Sequence, residues 1–460
     1  MQYLYFCNMK YQTVSPLTQE VLFEQEILSD IELEKQVQKS LTSFISWKQK
    51  SIEERITILP KLADLLRKNK ENLSRLSAIE MGKPVSEAAL EIEKCAVLCE
   101  HYHTHSQEYL KPVRFDDQYA LYYVPMGIIL SIMPWNFPYW QVFRAVIPAL
   151  MAGNVVLVKH APNVPQCAVA IKDLFAQAGV AEGVFANVFI SHEQVSRLIA
   201  DKRIQGISLT GSTRAGIAVN EQAAKYLKKV VLELGGSDPF IVCEDTNVEQ
   251  ALKVLMRSRF GNCGQSCIAA KRILVQENIA ETFTTLLHKE IKKLRLGDPL
   301  EQDTQIGPMA RKDLVEVAVS QVEDALQKGA KCLTGGKRKD NQSNFFLPTL
   351  LTHVTSDMRV MQEEVFAPVA SVYRFKTIEE VIEVANNTDY GLGASVWTQN
   401  KIQGEYIASQ LLAGTVFING LVRSDPKYPF GGIKLSGVGK ELSYFGMQEF
   451  CYPILRADLS

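Results

Sequence analysis

The chain has almost no excess charge of either sign, since 50 Lys and Arg residues face 51 Asp and Glu residues among its 460 residues. Proteins that bind a polyanion usually carry a basic surplus or stripe, so this balance argues against a nucleic-acid partner. A targeting segment is also lacking. The apolar stretch Met1–Cys7 has no basic leader or cleavage-like site, and it is too short for a signal peptide or a membrane span, although Met9 is an alternative start. We therefore expect no membrane partner.

Paired cysteines are lacking as well. The nine cysteines are an odd number, none belongs to a CxxC pair, and their spacing is irregular. The sequence therefore indicates neither a disulfide framework nor a zinc ribbon, and we expect no metal site. Free thiols are typical of a reducing compartment, which predicts a cytoplasmic protein.

What is present is a long alternation of strand and helix patterns. The chain is too long for a single compact core, so two or three domains are expected. Residues 31–109 have the helical spacing of apolar residues, and from Ile128 onwards short apolar runs alternate with helical patterns. This rhythm predicts an α/β fold with a parallel sheet covered on both faces, as in nucleotide-binding domains. It resumes after Gly236 as a second α/β layer system, and a ligand cleft is expected at the junction.

Two side chains near that junction carry chemistry. Cys267 lies in Gly264-Gln265-Ser266-Cys267, and Glu233 begins Glu233-Leu234-Gly235-Gly236. A thiolate attacks carbonyls and leaves well from a thioester, while a carboxylate can activate the water that cleaves the thioester. Each residue also has an ordinary alternative, because cysteines are commonly buried packing residues and a glutamate before two glycines can simply end a strand or helix.

Further upstream, polar residues follow three predicted strands. Asn136 follows the strand Ile128–Ile132 and could donate to an oxyanion, or could cap the next helix. Lys159 ends a second strand, where it could meet a nucleotide ribose or phosphate, or could be a solvated lysine. Gly211 and Ser212 lie between a strand and a helix and suit a pyrophosphate, but the segment lacks the lysine of a P-loop and could be a plain turn.

These residues belong to a series of motifs that resembles the NAD(P)-dependent aldehyde dehydrogenases. The resemblance extends from about Ser15 to Arg456, and several independent motifs in the same order make it specific. The motifs are Pro134-Trp135-Asn136-Phe137-Pro138, Lys159, Gly211-Ser212-Thr213 with Gly216, Glu233-Leu234-Gly235-Gly236, Gly264-Gln265-Ser266-Cys267, Glu363-Glu364-Val365-Phe366-Ala367-Pro368, Asn386-Asn387-Thr388-Asp389-Tyr390-Gly391-Leu392 and Pro429-Phe430-Gly431-Gly432.

The resemblance implies the three-part aldehyde dehydrogenase fold. A Rossmann-like NAD(P)-binding domain would comprise residues 1–113 and 127–232, and an α/β catalytic domain would comprise residues 233–439. A small β oligomerisation element would comprise residues 114–126 and 440–460. Members of the family assemble through such an element, so a homodimer or homotetramer is expected.

The resemblance also implies a role for each site residue. Cys267 would be the nucleophile, Asn136 its oxyanion donor and Glu233 the residue that activates water. NAD or NADP, both accepted, would be the cofactor, with a small-molecule aldehyde as substrate. The residues implied to bind the cofactor are Trp135, Lys159, Gly211, Ser212, Leu234, Glu364 and Phe366.

Two positions depart from the family pattern. Many NAD-specific members have a glutamate three residues after the lysine, where this chain has Pro162. Loss of that carboxylate removes its repulsion of a 2′-phosphate, so NADP should be tolerated. Ala367 replaces the usual glycine of a Phe-Gly-Pro motif, a small change for which we predict no particular effect.

The expected substrate is succinate semialdehyde. Arg144, eight residues after Asn136, stands where succinate-semialdehyde dehydrogenases carry an arginine, and it could pair with the distal carboxylate. Ser424 matches a second carboxylate-binding position of that subfamily, and the adjacent Arg423 could contribute. Against this, Gly261 stands where these enzymes often have another arginine, and Arg144 could instead form a structural salt bridge under the domain interface.

Other functions remain open at this point. The chain could oxidise aliphatic or other semialdehydes broadly, or could be a catalytically silent scaffold. An acylating, coenzyme-A-dependent enzyme usually lacks the deacylating glutamate, so Glu233 argues against it. Cys263, four residues before Cys267, could act as its redox partner but is more commonly a small buried residue.

Overall fold

The computed structural model describes residues 10–340 and 343–459, so the expectations for Met1–Cys7 and Met9 lie outside the described residues. The strands are β1 (Lys10–Val14), β2 (Val21–Glu26), β3 (Val113–Arg114), β4 (Tyr119–Pro125), β5 (Ile128–Ile132), β6 (Val155–Lys159), β7 (Phe185–Asn187), β8 (Ile204–Thr210), β9 (Lys229–Glu233), β10 (Asp238–Val242), β11 (Ala270–Gln276), β12 (Lys331–Thr334), β13 (Thr349–Thr352), β14 (Val369–Phe375), β15 (Gly393–Trp397), β16 (Thr415–Ile418), β17 (Gly437–Val438) and β18 (Cys451–Ala457).

The helices alternate with these strands for most of the chain. They are α1 (Asp30–Trp47), α2 (Ile52–Ile56), α3 (Ile58–Lys68), α4 (Lys70–Met81), α5 (Val85–Tyr109), α6 (Trp140–Met151), α7 (Pro165–Gln177), α8 (His192–Ala200), α9 (Thr213–Ala224), α10 (Val248–Phe260), α11 (Glu277–Ile291), α12 (Lys312–Gln327), α13 (Arg359–Gln362), α14 (Ile378–Asn386), α15 (Lys401–Gln410) and α16 (Ser443–Gln448). Within the described part of the chain, no helix combines the length and the apolar character needed to cross a bilayer.

The first large sheet has six strands in the order β17-β9-β8-β5-β6-β7. Its neighbours are parallel except β17, which runs antiparallel to β9. Every residue of β6 is buried, because side chains on both faces of a doubly covered strand are shielded from water. The expected α/β fold with a parallel sheet is therefore confirmed. Since parallel strands end at one edge, the residues that follow β5, β6, β8 and β9 gather at that edge.

The second large sheet has seven strands in the order β12-β13-β14-β11-β10-β15-β16. Its two central strands β10 and β11 are parallel neighbours, with Asp238 paired to Ala270. Gly236 therefore enters β10 beside the segment in which Cys267 enters β11. The junction of the two sheets thus joins the carboxyl edge of the first to the amino edge of the second, which is the location that the sequence predicts for a cleft.

The third sheet is small and antiparallel, with the order β18-β4-β3. Strands β18 and β4 pair along their full length, from Cys451 with Pro125 to Ala457 with Tyr119. β18 lies at the edge of this sheet, and its apolar residues Ile454 and Leu455 are 42% and 56% exposed. The assignment of the three sheets to cofactor binding, catalysis and assembly remains a prediction.

Two local differences from the sequence prediction have clear causes. The hairpin β1–β2 was not expected, because β2 has no alternation of buried and exposed apolar residues. It is fixed partly by tertiary contact, since Gln12 N donates to Pro162 O at 2.9 Å. The sequence pattern predicts a helix over residues 216–227, whereas α9 begins at Thr213, because Ser212 caps it and accepts a hydrogen bond from Ala215 N.

A buried ion pair fixes helix α5 beneath the junction. Lys83 and Glu91 form a salt bridge although their side chains are only 1% and 2% exposed. Glu91 Oε1 also accepts hydrogen bonds from Tyr139 N and Trp140 N, both at 2.9 Å. The carboxylate therefore satisfies the free N–H groups at the start of α6, where a negative charge is favourable.

Lys83→Met should destabilise the protein strongly. Removal of the ammonium leaves the Glu91 carboxylate buried without its cation, which typically costs about 3–5 kcal/mol. Urea unfolding of the variant and of the wild type measures the loss. Lys293→Met is the matched control, because Lys293 is 60% exposed in its salt bridge with Glu290 and such a pair contributes only about 0–1 kcal/mol. Equal losses in the two variants would contradict a stabilising role for the buried pair.

Candidate active site

The segment before Cys267 has an unusual backbone. Asn262, Cys263 and Gly264 are consecutive residues with φ values of 51°, 56° and 72°. This left-handed region is unfavourable for residues other than glycine, so surrounding contacts must hold the turn. At Gly264 a side chain would also overlap the carbonyl of Ala367. The turn explains why the chain reverses direction sharply between α10 and the nucleophile segment.

Helix α5 and the Asn136 segment hold this turn. Glu87 Oε2 accepts a hydrogen bond from Asn262 N at 2.6 Å. Asn262 Nδ2 donates to Asn136 O at 2.8 Å, and Asn136 Nδ2 donates to Gln265 O at 3.1 Å. Hydrogen bonds in both directions therefore join the Asn136 segment to the turn that precedes Cys267.

Asn136 does not cap the following helix, which was its alternative role. Helix α6 has no side-chain cap, and Glu91 receives its first N–H groups. Asn136 is 5% exposed, and an amide nitrogen has a second hydrogen to donate. Its geometry is thus compatible with an oxyanion donor at the nucleophile segment.

Cys267 is partly buried and lies next to a buried lysine. Lys271 Nζ donates to Cys267 O at 2.6 Å and to Ser266 O at 2.9 Å. Burial raises the pKa of the Cys267 thiol to about 11, while the charges of Lys271 and Arg144 oppose this rise. The thiol is therefore protonated at neutral pH, and an attack on a carbonyl requires removal of that proton.

Glu233 lies within electrostatic range of Cys267, and Gly236, three residues after Glu233, closely approaches the Cys267 carbonyl. A Cβ atom at Gly236 would lie 2.7 Å from Cys267 O, so only glycine permits this contact. Glu233 ends β9 and is 2% exposed, and its Oε1 has no hydrogen-bond partner among the described residues. Burial raises its pKa well above the ordinary value, opposed by Arg144 and reinforced by Glu441. A carboxyl in this state is a stronger base once it has ionised.

The predicted cofactor residues lie on both sides of the junction. Trp135 and Phe366 contact each other edge to face, with ring centroids 5.9 Å apart. Glu364 Oε1 accepts from Gly236 N at 3.1 Å and lies 3.4 Å from Lys271 Nζ. Leu234 is 6% exposed, and its N–H donates to Ser436 O at 2.9 Å.

The remaining cofactor candidates gather at the carboxyl edge of the first sheet. Ser212 caps α9, and Gly211 N donates to Glu233 O at 3.0 Å. Lys159 is 6% exposed, burial lowers its pKa to about 8, and no described carboxylate lies within salt-bridge distance. A helix N-terminus favours phosphate, and an unpaired buried ammonium favours an anion or ribose hydroxyls. These residues therefore fit a dinucleotide whose adenosine ribose carries either free hydroxyls or a 2′-phosphate.

Arg144 is enclosed and already has a counterion. It is 2% exposed and forms a salt bridge with Glu441. Its Nη2 donates to Thr210 Oγ1 at 3.3 Å, and its guanidinium lies 4.8 Å from the Phe430 ring centre. The salt bridge matches the structural alternative considered for Arg144, and the contact with Phe430 places it beside a predicted site motif.

Ser424 is buried next to Trp140. Its Oγ accepts from Trp140 Nε1 at 3.1 Å and from Lys94 Nζ at 2.7 Å. Arg423, by contrast, is 62% exposed and lies 3.8 Å from Asp425. Arg423 is therefore directed to solvent and does not join the buried cations.

Several residues of this site were not found from the sequence. Lys271 was detectable, because it begins, with Arg272, an otherwise apolar strand four residues after Cys267. Glu441, Glu87 and Lys94 gave no local signal, since each acts through a partner that is distant in the chain. Cys263 is fully buried and its thiol contacts Gly307 O at 3.3 Å, so the structure gives it a packing environment. Among residues 10–340 and 343–459, no cluster of His, Cys, Asp and Glu could hold a metal ion.

The chain matches known proteins along nearly its whole length. The aldehyde dehydrogenase family profile matches residues 7–453. The chain is 45% identical over 441 residues to a probable NADP+ succinate-semialdehyde dehydrogenase of Synechocystis sp., covering 95% of this chain and 97% of the relative. It is 41% identical over 442 residues to the NAD(P)+ succinate semialdehyde dehydrogenase Sad of Escherichia coli, covering 95% and 96%.

A solved structure shows the same architecture. The crystal structure of succinic semialdehyde dehydrogenase from Streptococcus pyogenes, in complex with NADP+ as the cofactor, superposes with a TM-score of 0.93 at 37% identity. The match covers 97% of this chain and 99% of that chain. The two large sheets, the small sheet and their connections therefore follow an established fold.

The Cys267 thiol should alkylate slowly at neutral pH in the ligand-free protein. With a pKa of about 11, the thiolate fraction and the rate with iodoacetamide should rise about tenfold per pH unit from pH 7 to 10. Mass spectrometry of the Cys267 peptide measures the rate, and Cys267→Ser identifies the signal. Lys271→Met should move the profile to still higher pH, because it removes an ammonium that lowers the pKa. A rate that levels off below pH 8 would contradict this assignment.

Proposed function

The chain belongs to the aldehyde dehydrogenase family, and we propose that it oxidises succinate semialdehyde to succinate with NAD or NADP. It is an NAD(P)-dependent oxidoreductase, and the finer proposal concerns the substrate and the residues that act on it. The observation that carries the chemistry is that the buried Glu233 carboxyl lies close enough for its charge to act on the Cys267 thiol, and its Oε1 has no hydrogen-bond partner among the described residues.

In the proposed reaction, the Cys267 thiol releases its proton to solvent, and the thiolate adds to the aldehyde carbon to form a thiohemiacetal. The second N–H of Asn136 stabilises the developing oxyanion, a contact whose loss typically costs about 2.7–4 kcal/mol of barrier. NAD(P), held by the residues named below, would supply the two-electron oxidant that the conversion of the thiohemiacetal to a thioester requires. Glu233 then takes a proton from water, the water cleaves the thioester, and the carboxylic acid leaves with Cys267 restored as a thiol.

The cofactor residues are proposed from the two edges of the junction. Lys159 supports the adenosine ribose or its 2′-phosphate, and the Gly211-Ser212 turn at the start of α9 supports the pyrophosphate. Trp135, Leu234, Glu364 and Phe366 support the ribose and nicotinamide at the catalytic end. Pro162 presents no carboxylate toward Lys159, which supports acceptance of both NAD and NADP.

The semialdehyde proposal rests on the two named relatives and on the buried cations. Arg144 is proposed to orient the carboxylate of the substrate, and Ser424 to donate a hydrogen bond to it. Arg144 retains guanidinium donors beyond those used on Glu441 and Thr210. A broad aliphatic specificity is the competing possibility, since such an enzyme would share the nucleophile and the base.

Assembly and location complete the proposal. The exposed apolar residues of β18 form an open sheet edge, a surface that proteins normally cover. We propose that this edge forms a homodimer or homotetramer contact.

The eight described cysteines are free thiols, which supports a reducing compartment and hence the cytoplasm.

Arg144→Ala should abolish the preference for a carboxylated aldehyde. The wild type is expected to show a kcat/KM for succinate semialdehyde at least about tenfold above that for butanal, or about 1.4 kcal/mol. The variant should lose this advantage, because the guanidinium no longer meets the carboxylate. Steady-state kinetics with NAD and with NADP provide the measurement. Comparable kcat/KM values for both aldehydes in the wild type would reject the semialdehyde assignment.

Glu441→Gln is the matched control for Arg144→Ala. Both substitutions remove the same buried salt bridge, but Glu441→Gln keeps the guanidinium. The preference should therefore survive in Glu441→Gln. Loss of the preference in both variants would assign Arg144 a structural role through its salt bridge.

Glu233→Gln should trap the thioester. Without the carboxylate the water is not activated, so the acyl group should accumulate on Cys267 after one turnover. Intact-protein mass spectrometry should show the added mass together with a single-turnover burst of NAD(P)H. Cys267→Ala provides the control, since it should form neither adduct nor burst. Steady turnover by Glu233→Gln without an adduct would assign the water activation to another group.

A further inference from the structure

Lys94 of α5 reaches the oxygen that is proposed to meet the substrate carboxylate. Its Nζ donates to Ser424 Oγ at 2.7 Å and lies 3.8 Å from the centre of the Trp140 ring. Trp140 Nε1 donates to the same oxygen at 3.1 Å. Lys94 is partly buried, whereas Trp140 and Ser424 are 3% and 5% exposed, so the ammonium lies in a nearly enclosed part of the protein.

The hydrogen bonds at Ser424 leave one donor free. A serine hydroxyl has two acceptor lone pairs and one hydrogen. Lys94 and Trp140 occupy the two lone pairs, and no acceptor for the remaining O–H is found in residues 10–340 and 343–459. Lys94 itself has further N–H donors after its bond to Ser424. The Lys94 ammonium and the Ser424 hydroxyl therefore have only hydrogen-bond donors left to offer, an arrangement that suits an anion with two oxygen atoms.

The charge of Lys94 is not balanced by a neighbouring carboxylate. No salt bridge to Lys94 occurs within 4.0 Å among the described residues. Four charged or titratable groups act on it: Arg144 from α6, Glu91 and Cys95 from α5, and Asp425 from the loop after β16. Glu91 is paired with Lys83, and Arg144 with Glu441. Burial, followed by repulsion from Arg144, lowers the pKa of Lys94 to about 7.

Lys94 and Cys267, the proposed nucleophile, both lie near Arg144. The charge of Arg144 acts on the pKa of both Lys94 and Cys267. Trp140 lies four residues before Arg144 on α6, so both side chains are on the same face of that helix. Cys267 also packs against the apolar cluster that contains Trp140. Arg144 therefore lies within electrostatic range of both Lys94 and Cys267.

We propose that Lys94 and the Ser424 hydroxyl bind the carboxylate of the aldehyde substrate, and that Lys94, together with Arg144, determines the preference for acid-bearing over neutral aldehydes. This inference rests on the proposed semialdehyde function. Arg144 orients the substrate, but Glu441 balances its charge, so Lys94 supplies the cation that lacks a counterion. An incoming carboxylate completes a buried ion pair that the free protein leaves unfilled.

The test is the pH dependence of a specificity ratio. The ratio of kcat/KM for succinate semialdehyde to that for butanal is measured from pH 6 to 9 in the wild type, Lys94→Gln and Lys94→Arg. The ionisation of Cys267 affects both substrates and cancels in the ratio. Since kcat/KM reports ionisations of the free enzyme, the wild-type ratio should fall by about tenfold or more as the pH rises past about 7.

The variants distinguish direct binding from a structural role. Lys94→Arg stays charged over this pH range, so its ratio should remain nearly constant. Lys94→Gln should have a ratio about tenfold below the wild type at pH 6 and no pH dependence. Its KM for succinate semialdehyde should rise while the KM for butanal should not. Lys61→Gln on α3 removes an exposed lysine and should behave like the wild type.

Two results would overturn the inference. One is a wild-type ratio that favours the semialdehyde but does not change with pH. The other is a Lys94→Gln variant that retains the full preference. A wild type that does not favour the semialdehyde at any pH would instead reject the proposed function on which the inference rests, so the two failures are distinguishable.

Discussion

The salt bridge between Lys83 and Glu91 is the interaction on which the catalytic geometry depends. Helix α5 contributes Glu91 to the start of α6 and Glu87 to the turn before Cys267. A single helix thus sets the positions of the predicted oxyanion donor and the nucleophile. Because the ion pair is almost fully enclosed, its partners cannot exchange with water, and the geometry they impose is correspondingly rigid.

The strained turn at Asn262, Cys263 and Gly264 depends on the same helix. Three successive left-handed residues cost free energy that a short loop cannot recover by itself. The hydrogen bonds from Asn262 to Glu87 and Asn136 offset that cost and make the turn a fixed element. Cys267, the proposed nucleophile, then leads into β11 next to Gly236.

The sequence predicted the strands and motif residues of this site better than the side-chain contacts between them. The strands β5, β6 and β11 were evident, because apolar runs determine both their burial and their boundaries. The residues that follow them could be assigned by family motif. The ion pairs of Arg144 with Glu441 and of Lys83 with Glu91 could not be predicted, because the pattern of apolar residues gives no information on which charges meet. The hairpin β1–β2 was missed because its register is set by contact with the Pro162 loop.

The charges around Arg144 explain how this one cation can affect the ionisation of both Cys267 and Glu233. Its charge favours the ionised forms of both Cys267 and Glu233. Without Glu441, Arg144 alone would lower the pKa of Glu233 and make its carboxylate a weaker base. Glu441 has the opposite effect on Glu233, so the salt bridge leaves that carboxyl free to change its protonation state. Because Glu441 balances the positive charge of Arg144, the pair attracts an anionic substrate only weakly through its net charge. In the proposed function, Lys94 would add a second cation, which no described carboxylate pairs with, and so strengthen a preference that also depends on Arg144.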